Sequence, residues 1–341
     1  MGEAEVPGPR PRKAVGPRIG IDLEKPVISA EEVSLRSRAV REFDDWLALT
    51  FANLTTGQIR TNGALLGMLL REYGKERFAA HGTEREFREA ILGIRDRYQD
   101  LRWSLGSAWE LAERWNLHEP GQVRTVLSKK VMQAMVAVAL FWKWYRFAGL
   151  LLCGFSCPFH PSELYSIRKV DLVLPSDLLE DDEESEMYIR IAEPKTRHRG
   201  PRRQHGAIDD PLVIAYMEAL FGGAGLSEPL FPPGKNAFRN RWDRICLKLG
   251  IVPRDVPNGA VPAVIRGSAA TQMFKHTKSI PLTMWRGRWQ VQKTLEYYLQ
   301  ETGGHSFLAH QTEQTRDNIA VAAAAAGPLI RAAIIEISLA R

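Results

Sequence analysis

The sequence predicts a mainly α-helical protein with a small antiparallel β-sheet, an α+β chain. Apolar residues recur three and four positions apart through most of its length, as at Val40, Phe43, Trp46 and Leu47. That is the period of a helix with one buried face. Only two short stretches alternate, Met187–Ala192 and His205–Ile208, and the turn between them is basic. Two alternating runs around a turn read as a hairpin.

Composition bounds the function. The chain has 341 residues, 45% hydrophobic and 25% charged, with a formal net charge of +6. That length favours two domains, and the composition is that of a globular protein with a sizeable core. A basic balance suits a polyanionic partner without demonstrating one. Cys153, Cys157 and Cys246 are too few for a disulfide scaffold, and none lies at zinc-ligand spacing from a His or a Cys pair, so reduced core thiols and no metal are expected. Residues 1–18 carry no apolar signal core, and the apolar run 131–152 is interrupted by Lys143 and Arg146. An intracellular protein with no membrane span is therefore expected, nuclear in a eukaryote and cytoplasmic in a bacterium.

Taken in order, residues 1–28 are rich in Pro and Arg and read as a disordered basic arm, one that contacts phosphate or simply stays solvated. Residues 29–120 read as a helical bundle. Ser29–Glu32 has the form of a capping box, which opens a helix. Further helices are expected over Asn62–Tyr73, Glu84–Tyr98 and Ser104–Trp115, with breaks at Gly57, Gly74 and Gly82. Glu119–Gln122 contains Pro120 and Gly121 and reads as a linker. A second domain spans 124–302. It opens with one long helix over Ser128–Leu152, whose Trp142, Trp144, Tyr145 and Phe147 are expected in the core rather than on a base-stacking platform. The acidic run Asp177–Glu186 reads as a solvated loop. Asp210-Pro211 caps a helix over Leu212–Phe221. Helices over Asn236–Leu249, with Arg239, Arg241 and Arg244, and over Val264–Thr277 follow. Residues 303–341 form an Ala-rich tail of one or two helices.

The stretch with the most chemistry is Trp285–Gln300, WRGRWQVQKTLEYYLQ. Gln292–Leu299 has no Gly or Pro and reads as helix, which places Thr294 and Tyr298, four apart, on one face. A Tyr there, with Arg266, Arg286 and Arg288 near it in sequence, could face a phosphate; burial with a hydrogen-bonded hydroxyl is the plainer alternative.

The larger pattern resembles the catalytic domain of the tyrosine recombinases, the phage integrase family. In that family Leu-Gly-His/Trp is followed by a Thr at plus five and the nucleophilic Tyr at plus nine. Here Gly287-Arg288-Trp289, Thr294 and Tyr298 keep that spacing. Upstream, Pro161-Ser162-Glu163-Leu164 and Ile167–Asp171 match the family's first motif. Arg266 matches the Arg of the His-x-x-Arg-His motif, and Lys195, at the end of the first hairpin strand, matches the family Lys. Two positions depart: His160 stands where the family has its first catalytic Arg, and Ala263 stands at the family His. The difference is chemical, because Arg offers a fixed, always-charged fork of donors and His a single edge.

The resemblance implies an N-terminal helical bundle, core-binding-like and SAM-like, ahead of an integrase-like catalytic domain. It implies double-stranded DNA as partner, assembly as a homo-oligomer (a tetramer) on DNA, and no cofactor. Tyr298 would be the nucleophile giving a 3′-phosphotyrosyl link, Arg266 the phosphate clamp and Lys195 the acid for the leaving 5′ oxygen. Trp289 and His160 would complete the catalytic set, and Arg197, Arg199, Arg202, Arg203, Arg286 and Arg288 would contact DNA. The tail would dock on a neighbouring subunit, or pack on its own. A site-specific recombinase of mobile-element type is the first expectation. A catalytically inactive DNA-binding descendant of such an element, and a helical interaction protein without nucleic acid, are the alternatives.

Overall fold

The computed structural model describes residues 28, 30–120, 125–178, 186–192, 204–252 and 259–340. They form two compact units, one ending at Gln122 and one beginning at Val123. Most residues are helical, and one three-stranded antiparallel sheet accompanies them, which is the α+β class expected.

The first unit is all helix: α1 (Ala30–Thr50), the short α2 (Thr56–Ile59), α3 (Gly63–Ala79), α4 (Glu84–Arg97) and α5 (Gly106–His118). Its caps follow the residues. Asn62 Oδ1 accepts from the Leu65 N–H, and Thr83 and Glu86 form a reciprocal capping box at the head of α4. Both satisfy amide donors that a helix start leaves open. Phe43, Leu47, Leu66, Leu70, Phe87, Ile91 and Trp115 form its core. Gly74 is no break: it lies inside α3 and is buried. A Cβ there would meet the Phe87 ring at 2.5 Å and Leu111 at 2.7 Å. The glycine serves close helix packing rather than a turn.

The second unit opens with α6 (Lys129–Phe141) and α7 (Tyr145–Ser156). The expected single helix over 128–152 is thus two. Lys143 takes a left-handed conformation, φ 55°, and the Trp144 N–H closes on the Ala139 carbonyl at 2.9 Å. The turn folds α7 back against α6, so a long apolar run buries against itself. Trp142 and Trp144 pack at its corner under the Arg241 and Arg244 guanidiniums, each within 5.6 Å of a Trp ring centre.

Next come the one-turn α8 (Pro161–Leu164) and the sheet, β1 (Leu172–Val173), β2 (Met187–Ile191) and β3 (Gln204–Ile208), in the order β1-β2-β3. Leu172 pairs with Ile189, and Met187 with Ile208. Met187, Ile189 and Ile191 face the core while Tyr188 and Arg190 face out, the two-residue period of a half-buried strand. The helices α9 (Pro211–Phe221), α10 (Gly234–Leu249), α11 (Val264–Thr277), α12 (Ile280–Gly287), α13 (Gln292–Glu296), α14 (Gly303–Ala309) and α15 (Glu313–Leu339) complete the unit. Asp210 Oδ1 caps α9 by accepting from Leu212 and Val213.

The C-terminal tail packs on its own unit. Ile319, Ala326, Ile330 and Ala333 of α15 are buried, and the helix lies against α6 and α9. By length and composition α15 is long and apolar enough to cross a membrane. The three cysteines are free and buried, and burial pushes the Cys157 thiol up to about 11. Gly74→Val should destabilise the protein by about 2 kcal/mol, since the new side chain must displace fully packed rings. Urea denaturation followed by circular dichroism will measure it, and an unchanged midpoint would contradict the packing described.

Candidate active site

Three of the residues singled out by spacing meet on the second unit. Arg266 projects from the first turn of α11 and is 7% exposed. Its guanidinium lies over the Trp289 ring, 4.3 Å from the centre, and Trp289 packs against Tyr298 with ring centres 5.4 Å apart. The Tyr298 ring also lies against Gly267, where a Cβ would sit 3.6 Å from it.

The Trp289 position depends on the chain just before it. A Cβ on Gly287 would fall 1.8 Å from the Trp289 ring, so only glycine lets the indole fold back over α12. The Trp289 N–H then closes on the Met284 carbonyl at 2.9 Å, a helix end of the Schellman form. Between them Arg288 takes φ 62°. A left-handed conformation costs a non-glycine residue about 1 kcal/mol.

Arg266 is held by backbone. One Nη donates to the Gly287 carbonyl at 2.9 Å and the other to the Pro158 carbonyl. Burial, and then the nearby Arg288 charge, lower its pKa from the usual guanidinium value. The Arg288 guanidinium donates to the same Pro158 carbonyl at 3.1 Å and to Glu163 Oε2 at 2.9 Å, and its side chain is 9% exposed. Burial pushes the Glu163 carboxyl up, but the Arg288 charge, the His160 backbone N–H and the His160 charge outweigh it and hold Glu163 below the ordinary carboxylate range.

His160 stands at the head of α8, before Pro161 in the first turn, and its backbone N–H donates to Glu163 Oε2 at 2.8 Å. It is therefore next to Glu163 and Arg288. The segment leading to it is pressed under the sheet: a Cβ on Gly206 of β3 would meet the Phe159 ring at 2.4 Å and Cys157 at 2.7 Å.

The tyrosine helix is shorter than its sequence suggests. α13 ends at Glu296, and Tyr298 lies in the turn that follows. Leu295 is the buried residue of α13, and Thr294 is exposed, so Thr294 and Tyr298 do not share a helix face. Tyr297 and Tyr298 include no helix breaker, but Leu295 inserts among Ala270 and Trp289, and the chain turns there to keep it buried. Thr271 ties the turn down. Its hydroxyl donates to the Tyr298 carbonyl at 3.0 Å and accepts from the Gln300 N–H at 3.2 Å. The Tyr298 side chain is half-buried, in a shallow cleft lined by Val126, Ala263, Gly267 and Tyr297. Its hydroxyl makes no hydrogen bond to a described residue. Ala263, at the position where a His was expected, lines that cleft without a titratable group.

Of the expected DNA contacts, Arg286 pairs with Glu186 at 2.8 Å, and Arg288 with Glu163. Arg288 is turned into the protein, whereas the Arg286 side chain stays 25% exposed beside its partner. Lys195, Arg197, Arg199, Arg202 and Arg203 lie outside the described residues. No cluster of potential metal ligands occurs among the described residues. Glu163 and Thr271 were not expected as site residues. Glu163 carries a local signal, three positions after a helix cap. Thr271 carries none, because its partners are far along the chain.

No family model matches the chain, and no curated protein matches it. Among solved structures, XerH site-specific recombinase bound to difH substrate, in a pre-cleavage complex, is 12% identical, with a TM-score of 0.48 over 82% of this chain and 79% of that one. XerA recombinase is 14% identical, with a TM-score of 0.39 over 84% of this chain and 94% of that one.

Glu163 makes acid stability a test of the site. Its carboxyl is depressed in the folded protein, so its contribution is present above the unfolded value of about 4.3 and is lost as pH falls below it. Glu163→Gln should cost about 3 kcal/mol at pH 7, because a buried charge loses its partner. The gap between wild type and variant should narrow as pH drops below the carboxylate range. Denaturant midpoints from pH 7 to 3 will show it; a constant gap would mean that the carboxylate does not carry the pairing.

Proposed function

We propose that this chain is a DNA-binding protein of tyrosine-recombinase type that cleaves and rejoins a strand through Tyr298. The observation that supports this most is the convergence of Arg266, Trp289 and Tyr298, which are separated by up to 32 positions in the sequence yet packed ring to guanidinium to ring. Nucleophilic attack by the Tyr298 hydroxyl on a phosphodiester forms a 3′-phosphotyrosyl ester and releases the 5′ hydroxyl. The ester keeps the phosphate activated, so a 5′ hydroxyl can reverse the step and seal the strand without an added energy source. Arg266 is the cation beside the reacting phosphate, where fixed donors hold developing charge. Lys195 is the acid that protonates the leaving oxygen. His160 borders the same cluster, and Arg197, Arg199, Arg202 and Arg203 contact the DNA backbone. A homo-oligomer on double-stranded DNA within the cell belongs to this reading.

A second reading is a DNA-binding protein that no longer cleaves. One observation favours it: both Nη groups of Arg266 donate to the Pro158 and Gly287 carbonyls, and the side chain is 7% exposed, so little of its fork is open to a phosphate arriving from solvent.

Covalent trapping separates the two. The protein is incubated with pooled nicked suicide duplexes, and denaturant-resistant protein–DNA adducts are sought, with Tyr298→Phe as control. Cleavage predicts an adduct that the Phe variant does not form, while its DNA binding survives and weakens steeply with salt. Salt-sensitive binding with no adduct would leave the non-cleaving reading. An adduct that persists in Tyr298→Phe would remove Tyr298 from its role.

A further inference from the structure

Position 160 lacks the arginine that the motif leads one to expect, yet a second guanidinium is present beside it. Arg288 reaches that place from the far side, from the C-terminal cap of α12. Its Nη2 donates both to Glu163, three residues after His160, and to the Pro158 carbonyl, two residues before it. Arg266 donates to the same Pro158 carbonyl. Two cations thus share one neutral acceptor.

Charge and hydrogen bonding are both left unbalanced. Arg266 and Arg288 face one carboxylate, Glu163, so the cluster carries a surplus positive charge. Arg266 Nε, Arg288 Nε and Arg288 Nη1 are buried without a hydrogen-bond partner among the described residues. Aromatic faces cover the two guanidiniums: Trp289 lies against Arg266, and Phe159 lies 5.3 Å from Arg288. A ring face compensates a buried N–H only in part. An unpaired buried donor on a charged group is costly. The backbone adds to this, because Arg288 occupies a left-handed position that glycine adopts freely. A side chain is kept there against backbone preference.

We infer that Arg288 is a second phosphate-binding guanidinium, supplying from the α12 cap the fork of donors that position 160 lacks, with Arg266 and Arg288 together forming one oxyanion site. This rests on the recombinase-type reading and adds to it the group that offsets His160. An oxyanion displaces the Pro158 carbonyl from between the two guanidiniums. It then gives each an anionic acceptor in place of a shared neutral one, so that opposite charge and two-pronged geometry are added to hydrogen bonds the guanidiniums already make. The 158–160 segment is the element that gives way, and Glu163 keeps Arg288 aligned as it does.

The test moves the charge from one position to the other. Binding of inorganic phosphate is measured by thermal shift and calorimetry against chloride at matched ionic strength, and duplex binding is measured in parallel by salt titration. The variants are Arg288→Gly, His160→Arg/Arg288→Gly and Arg288→Lys. Glycine relieves the left-handed backbone, and the double variant returns a cation to the neighbourhood of Glu163, so at least one charge-shifted protein is expected to fold. The inference predicts phosphate stabilisation of the wild type, roughly tenfold weaker phosphate binding in Arg288→Gly, and recovery of most of it in the double variant. Arg288→Lys should fall between them, keeping the charge but losing the fork. Phosphate binding that is unchanged in Arg288→Gly overturns the inference. Absence of phosphate stabilisation in the wild type, with salt-sensitive duplex binding intact, overturns it too, and leaves DNA binding standing and Arg288 as the structural partner of Glu163. Loss of both in the wild type removes the recombinase-type reading with it.

Discussion

The second unit depends on one guanidinium. Arg266 joins the Pro158 carbonyl, ahead of α8, to the Gly287 carbonyl, at the end of α12, while its flat face supports Trp289. Each contact needs a different property of the side chain. Two carbonyls on separate segments require a fork of donors, and stacking on an indole requires a delocalised planar cation. Lysine offers neither. The consequence is that α11, α12 and the 158–160 segment are set relative to one another by a charged group, in a place where an apolar contact would have held the same helices apart with no vector toward the surface.

A buried cation needs a reason to be stable. Among the described residues the compensating carboxylate is Glu163, which acts on Arg266 by charge while its ion pair is with Arg288. The carboxylate is itself held by the His160 backbone N–H, so the cap of a one-turn helix and the cap of an eight-residue helix meet at one ion pair. This ties two chain reversals together. The backbone N–H of residue 160 makes one of the contacts that align Glu163, and that contact does not depend on which side chain stands there. A substitution at that position changes the charge near the site without removing the cap.

Much of this was visible in the sequence, and the misses share a cause. Helices with a clear cap, such as α4 after Thr83 and α9 after Asp210, lie where the residues place them, and so does α11, which has no side-chain cap. The hairpin strands were readable from alternation. Features decided by remote partners were not. The break at Lys143 follows from α7 folding back on α6. Gly74 reads as punctuation, yet it is a contact surface for Phe87. Arg286 and Arg288 look like exposed charge, and their acidic partners are 100 and 125 positions away. Arg266, Trp289 and Tyr298, singled out by spacing, do pack together, while the direction of each guanidinium depended on carbonyls that no side-chain pattern encodes.

The tyrosine turn shows how little of the site is held rigidly. Arg266 is fixed by two carbonyls and a ring, but Tyr298 is fixed mainly by its backbone, through Thr271, and by one face of its own ring against Trp289. α13 is a single turn and buries only Leu295. A segment with so few apolar anchors opens at low free-energy cost compared with the core helices. Arg266 is therefore fixed more firmly than Tyr298. On the proposed reading, that division suits a reaction in which the phosphate is held first and the Tyr298 hydroxyl is delivered to it, since the geometry of the attack can then be set by the bound strand rather than stored in the free protein.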